Sequence, residues 1–178
     1  MTETHSNRPI RTSTLFRDAE SPMLRRWPEW AQMLFFGCTA LFINLVIGFM
    51  ILPLDFTDAA DFKQQIKQEQ GVIAGILVVV VAGPMMETAV GQFLPLFFAK
   101  VVRRKKLVQI LWASIWFAAL HIANGPAHVI QTFFVGWVFA VCFLFCWSES
   151  WFKAARVTYI AHALHNAVVY ILFLASTA

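Results

Sequence analysis

Charge is scarce in this chain. Only 13% of the 178 residues are Asp, Glu, Lys or Arg, where a soluble domain carries roughly 25%. Half the usual charge cannot cover a water-facing surface, and what charge there is falls in short blocks between long apolar runs. Cysteine is scarce too: Cys38, Cys142 and Cys146 all lie in apolar segments, with no CxxC pair and no disulfide framework. Cys142 and Cys146, one helical turn apart, read as small packing residues rather than ligands. No repeat and no low-complexity tract is present. The first 28 residues lack the early apolar core and small-residue cleavage site of a signal peptide. With Arg8, Arg11, Arg17, Arg25 and Arg26 and little apolar content, they read as a disordered cytoplasmic tail, followed by one membrane domain over 29–178.

What is abundant is hydrophobicity, 59% of residues with a mean hydropathy of +0.65. A spanning helix takes about 20 predominantly apolar residues, and several stretches reach that length. The first runs from about Glu29 to Leu54 and opens with Trp27 and Trp30, an interfacial belt. A polar loop, Asp55 to Gln70, follows. Gly71 to Val102 is apolar and exceeds one straight span. Either it is a long tilted helix or Gly83-Pro84 breaks it and starts a new one. Further spans cover about Leu107 to Ala123, Ile130 to Trp147 and Val157 to Thr177. The expected fold is all-α: a polytopic transmembrane bundle of five spans, or six if the Gly-Pro step divides one.

The net charge of +4 would suit nucleic acid, but the basic residues flank apolar runs, where they set orientation. The tail, the cluster Lys100, Arg103, Arg104, Lys105 and Lys106, and the pair Lys153 and Arg156 fall on one side of a five-span topology. The N-terminus is therefore expected in the cytoplasm, the C-terminus outside, and the chain in a cell membrane, a bacterial inner membrane being the natural setting. The lipid bilayer is its partner and nucleic acid is not.

Ionisable groups within such spans cost about 2.5–3.5 kcal/mol or more when charged and usually face a polar interior. Glu87 is the one acid inside a span. His121 ends the third apolar segment, while His162, His165 and Asn166 lie in the last. His162 and Asn166, four apart, share a helix face. One carboxylate, two imidazoles and an amide on three helices are the parts needed to activate a water and steady an oxyanion. The bland alternatives are a structurally paired acid, an interfacial His121, and interhelical hydrogen bonding by His162 and Asn166. His128 and His165 lean structural, and His5 lies in the tail.

Order and spacing add a further reading. Glu87-Thr88-Ala89-Val90-Gly91-Gln92, then Phe117-Ala118-Ala119-Leu120-His121, then His162-Ala163-Leu164-His165-Asn166 resemble the three motifs of the CPBP (CAAX-processing and bacteriocin-processing, or Abi) intramembrane proteases: Glu-Glu-x-x-x-Arg, Phe-x-x-x-His and His-x-x-x-Asn/Asp. The resemblance covers about Gly71 to the end. It implies an endopeptidase, metallo- or glutamate-dependent, acting on a membrane-associated substrate of CAAX type or on a bacterial peptide or sorting substrate. Glu87 would activate the water, His121 and His162 would position it, and Asn166 would stabilise the oxyanion, with Phe117, Thr88 and Gln92 in support. Two departures stand out: Thr88 replaces the second Glu and Gln92 the Arg, a neutral version of that pair. Glu87, His121 and His162 also match a catalytic zinc ligand count, although a ligating Glu is not free to act as base. Two other classes stay open at this point, a catalytically silent scaffold or partner-binding relative, and a haem-binding electron carrier using His121 and His162.

Depth constrains the last helix. Glu87 is thirteen residues from Lys100 and His121 fifteen from Lys106, about 20 and 22 Å along their helices. His162 is only six past Arg156, about 9 Å. A common site thus requires the last helix to begin near Ser148–Trp151, burying Trp151 and Phe152 while Lys153 and Arg156 snorkel or face a water-filled cavity.

Overall fold

The structure, a computed structural model, describes residues 22–51 and 71–176. The described residues are helical, with no strand. The helices are α1 (Pro22–Arg25), α2 (Glu29–Ile51), α3 (Gly71–Val101), α4 (Lys106–Ala119), α5 (Pro126–Trp147) and α6 (Trp151–Ser176). Of these, α2, α3, α5 and α6 are long and apolar enough to cross a bilayer. At 14 residues, α4 is shorter, about 21 Å against a hydrocarbon core of about 30 Å. The expected five spans are therefore four long helices and one short one.

Most of the expected tail and all of the Asp55–Gln70 loop lie outside the described residues. Pro22–Arg25, however, forms a helical turn inside the expected tail, and Gln32 holds it. The fully buried Gln32 side chain donates from Nε2 to the carbonyls of Leu24 and Trp27 at 3.3 and 2.9 Å.

The central helix is α5, which packs against α4, α6 and α2. Its inward face carries small and aromatic residues in turn: Gly136, Phe139, Ala140, Cys142, Phe143 and Cys146 are all buried. Cys142 accepts a hydrogen bond from Thr158 Oγ1 of α6 at 3.4 Å, and no cysteine is disulfide-bonded. Outward faces are apolar as well, with Phe42, Phe49, Ile73, Phe98 and Ile171 all more than half exposed. That is the pattern of a helix whose solvent is lipid.

Gly83-Pro84 does not break α3. The helix stays continuous but widens into two π-helical stretches, Leu77–Ala82 and Glu87–Phe93, each of which ends two residues before a proline. The N–H of Gly83 bonds to the carbonyl of Val78, and that of Leu94 to the carbonyl of Ala89. The next residues, Pro84 and Pro95, have no N–H to donate. A proline inside a helix thus costs a hydrogen bond and a steric clash, and one inserted residue per bulge relieves the clash.

The α4–α5 corner is sharp. After Ala119 the chain leaves the α-helix, and His121 takes φ −107°, ψ 13°, in the sparsely populated bridge region. Gly125 then adopts φ 88°, ψ 158°, a conformation open essentially to glycine, and Pro126 starts α5. The third apolar segment thus ends as a helix before His121, not at Ala123. By contrast, α6 begins at Trp151 and runs unbroken to Ser176, as the depth argument requires. Trp151 and Phe152, expected to be buried, are 60% and 58% exposed.

Candidate active site

The sequence places Glu87 at the first position of the second π stretch of α3, His121 at the α4–α5 corner, and His162 eleven residues into α6. The fold brings all three together. Nε2 of His162 lies 3.3 Å and Nε2 of His121 3.6 Å from the same carboxylate oxygen, Oε2 of Glu87. His162 is almost fully buried, while the Glu87 side chain keeps 27% of its surface accessible. Bulges of this kind recur at functional sites because the extra residue turns a side chain out of the regular helical register.

Hydrogen bonds settle one tautomer. Nδ1 of His121 is 2.9 Å from the carbonyl oxygen of Phe117. A carbonyl can only accept, so Nδ1 carries a hydrogen, and Nε2 is the atom turned toward Glu87. For His162, Nδ1 has no hydrogen-bond partner among the described residues. Its Nε2 is the atom that can donate to the carboxylate.

Phe117 holds the two imidazoles. Its ring is 1% exposed, with centroid separations of 5.1 Å to His121 and 5.6 Å to His162. Two glycines make room for it. A Cβ on Gly91 of α3 would stand 2.9 Å from Phe117 Cδ2, and one on Gly136 of α5 only 2.8 Å from Cδ1. Phe139 also packs on His162, with ring centroids 4.5 Å apart and planes tilted by 33°.

Asn166 lies one turn beyond His162. Its Nδ2 donates to the carbonyl of Val79 at 3.0 Å, and its Oδ1 is 2.9 Å from Nδ1 of His165. The neutral pair Thr88 and Gln92 is buried. Nε2 of Gln92 donates to the Gly136 carbonyl at 3.2 Å, while Thr88 Oγ1 and Gln92 Oε1 have no partner among the described residues. An ion pair here would have to offset several kcal/mol of desolvation per charge, which two neutral polar groups avoid.

Sequence reasoning singled out Glu87, His121, His162, Asn166, Phe117, Thr88 and Gln92; the structure brings Glu87, His121, His162 and Phe117 together, while Asn166 bonds to Val79 and His165 and Gln92 to Gly136. It missed Gly136 and Phe139, and it set His165 aside as structural. An isolated glycine in an apolar helix is a recognisable sign of close approach. Nothing in the sequence marks Phe139 among the chain's 18 phenylalanines. Among the described residues no three His, Cys, Asp or Glu side chains are arranged to hold a metal ion.

Between α3 and α6 runs an apolar groove of about 360 Å³, lined by Met85, Thr88, Phe93, Trp151, Phe152 and Tyr159 among others. Arg156 also lines it and is paired with Glu29 of α2. Thr88, which lines the groove, adjoins Glu87 in the chain.

Long apolar helices around a partly buried acid–imidazole cluster define an integral membrane protein, an all-helical polytopic bundle. Residues 68–168 match the family model described as type II CAAX prenyl endopeptidase, Rce1-like. That segment is more than half of the chain, and the protein belongs to this family. No curated protein and no solved structure matches it.

Proposed function

We propose that the protein is an intramembrane endopeptidase that cleaves a prenylated, CAAX-type substrate by attack of a water activated by Glu87. The observation that carries this reading is the convergence of two imidazole Nε2 atoms, from different helices, on one carboxylate oxygen. At His121 the Nδ1–H is held by the Phe117 carbonyl, so Nε2 is the atom turned to the carboxylate. A water bound among these three groups has the carboxylate to take its proton and the imidazole nitrogens to orient it. That is the water Glu87 deprotonates as it attacks the scissile carbonyl. His121 and His162 orient it, and the second N–H of Asn166 Nδ2 donates to the developing oxyanion. The proton then passes from Glu87 to the leaving amine, which regenerates the carboxylate. No step runs through a metal.

The groove beside Thr88 supports the substrate assignment. Its volume lies in the range of small-molecule sites, about 300–1,000 Å³, and its apolar walls suit an isoprenyl chain entering from the lipid. In the cell, the basic blocks at Lys100–Lys106 and Lys153/Arg156 put the N-terminus in the cytoplasm, with a bacterial inner membrane as the setting.

The test uses purified protein in proteoliposomes and a peptide with a farnesylated Cys-a-a-X end. Mass spectrometry should find cleavage after the farnesylcysteine, and the same peptide without its prenyl group should be cut far more slowly. Binding of the prenylated peptide without cleavage would instead mark a catalytically silent relative. A Soret band in the purified protein would mark a haem carrier.

A further inference from the structure

Three observations converge on His165, a residue outside the cluster described so far. The first concerns Val79. In the π-helical pattern of α3, the N–H of Gly83 bonds to the carbonyl five residues back, Val78. The next bond in that ladder would run from residue 84 to the Val79 carbonyl. Residue 84 is proline and has no N–H, so Val79 is left without its helical donor. The second is that Asn166 Nδ2 fills this place at 3.0 Å. Because a carbonyl can only accept, the nitrogen of the amide must face Val79 and Oδ1 must point the other way. The third is that Oδ1 meets Nδ1 of His165 at 2.9 Å. His165 is 7% exposed, and its ring is held edge-on to Phe139, with centroids 6.0 Å apart and planes at 81°.

We propose that His165 is a positioning residue: its Nδ1–H locks the Asn166 amide with Nδ2 toward α3, leaving the second Nδ2 hydrogen aimed for the oxyanion. The inference rests on the reading of Asn166 as the oxyanion donor. Without the His165 donor only the Val79 bond holds the amide, and a rotation that gives up that one bond presents Oδ1, an acceptor, where the oxyanion forms. The chain of dependence runs from the Gly83-Pro84 step, through the Val79 carbonyl and Asn166, to His165. It couples the bulge that precedes Glu87 to the helix that carries His162.

The experiment is a kcat and KM comparison on the farnesylated CAAX peptide. Asn166→Ala should lower kcat about 10²–10³-fold, the usual loss for one oxyanion donor. His165→Leu should lower kcat about 10–100-fold at nearly constant KM, because misplacement of a positioned group by about 1 Å costs up to 10²-fold. His165→Asn can place an amide N–H where Nδ1 was and should recover most of the lost kcat. His165→Gln, which reproduces Nε2 instead, should not. In the Asn166→Ala background, His165→Leu should cost less than about twofold, since nothing is left to position. An equal cost in both backgrounds, or equal rescue by Asn and Gln, would show a merely structural histidine and overturn the lock. A low kcat in Asn166→Ala with normal kcat in His165→Leu overturns the lock alone. Near-wild-type kcat in Asn166→Ala overturns the reading of Asn166 and the lock with it. Apart from turnover, ¹⁵N shifts of labelled His165 should report the Nδ1–H tautomer, and the Nε2–H tautomer would contradict it.

Discussion

At the scale of single residues, the imidazole of His121 shows how a backbone carbonyl programmes a side chain. By taking the Nδ1 hydrogen, the Phe117 carbonyl fixes the ring so that Nε2 stands beside Glu87. His121→Gln, which keeps a polar group but loses the fixed tautomer, should lower kcat by about 10²-fold or more in the peptide assay. Metal-free protein should keep full activity after chelation and dialysis, with elemental analysis finding far less than one zinc per chain. Loss of activity restored by zinc would contradict a water held by hydrogen bonds alone. Thr88→Ala should cost little turnover, because its hydroxyl has no partner among the described residues. Gln92→Ala should act on stability, by about 1–3 kcal/mol, because it strips the buried Gly136 carbonyl of its donor. These roles divide cleanly by legibility. Glu87, His121, His162 and Asn166 were visible in the sequence because a polar residue in an apolar span has few reasons to be there. His165 was not, since its role depends on which way a neighbouring amide is turned, and spacing carries no such information.

At the scale of elements, the site depends on two departures from regular helix and one close packing. The bulges of α3 were half legible: Gly83-Pro84 and Pro95 announce trouble for a straight helix, but whether the chain breaks, kinks or widens depends on what packs around it. The early start of α6 was legible from arithmetic alone, because His162 reaches the depth of Glu87 only if its helix begins near Trp151. The exposure of Trp151 and Phe152 was not, since it depends on rotation about the helix axis. Gly136 carries the packing. Gly136→Ala would press a methyl to 2.8 Å from Cδ1 and 3.0 Å from Cγ of Phe117, the rigid near end of the ring. Overpacking of this kind costs about 1–3 kcal/mol. The variant should show a lowered thermal midpoint together with reduced kcat, because the ring it displaces touches both histidines. A smaller partner, Phe117→Leu in the same chain, should restore part of the midpoint. No recovery would mean that the clash is met elsewhere.

At the scale of the whole molecule, four long apolar helices and a short fifth enclose a polar cluster that no single helix could solvate. Hydrophobicity made the membrane class and the helical fold plain in the sequence. The number of spans was less plain, since α4 stops after Ala119 for reasons that lie in the Gly125-Pro126 corner. The proposed orientation, with the N-terminus in the cytoplasm, rests on the basic blocks. In a Cys38→Ser background, where Cys142 and Cys146 stay buried, a cysteine at Ser150 should react with an impermeant maleimide only from the cytoplasmic face. Reaction only from the outside would reverse the topology. The central claim, that Glu87 is the base that makes the attacking nucleophile, is tested most directly by Glu87→Gln in proteoliposomes with the farnesylated peptide. The amide keeps the size and the hydrogen-bonding reach but cannot take a proton from water. The account predicts protein that inserts and accumulates normally, binds the peptide, and turns it over about 10²–10⁴-fold more slowly. Turnover within a few-fold of wild type, about the spread expected for a residue outside the chemistry, would contradict it.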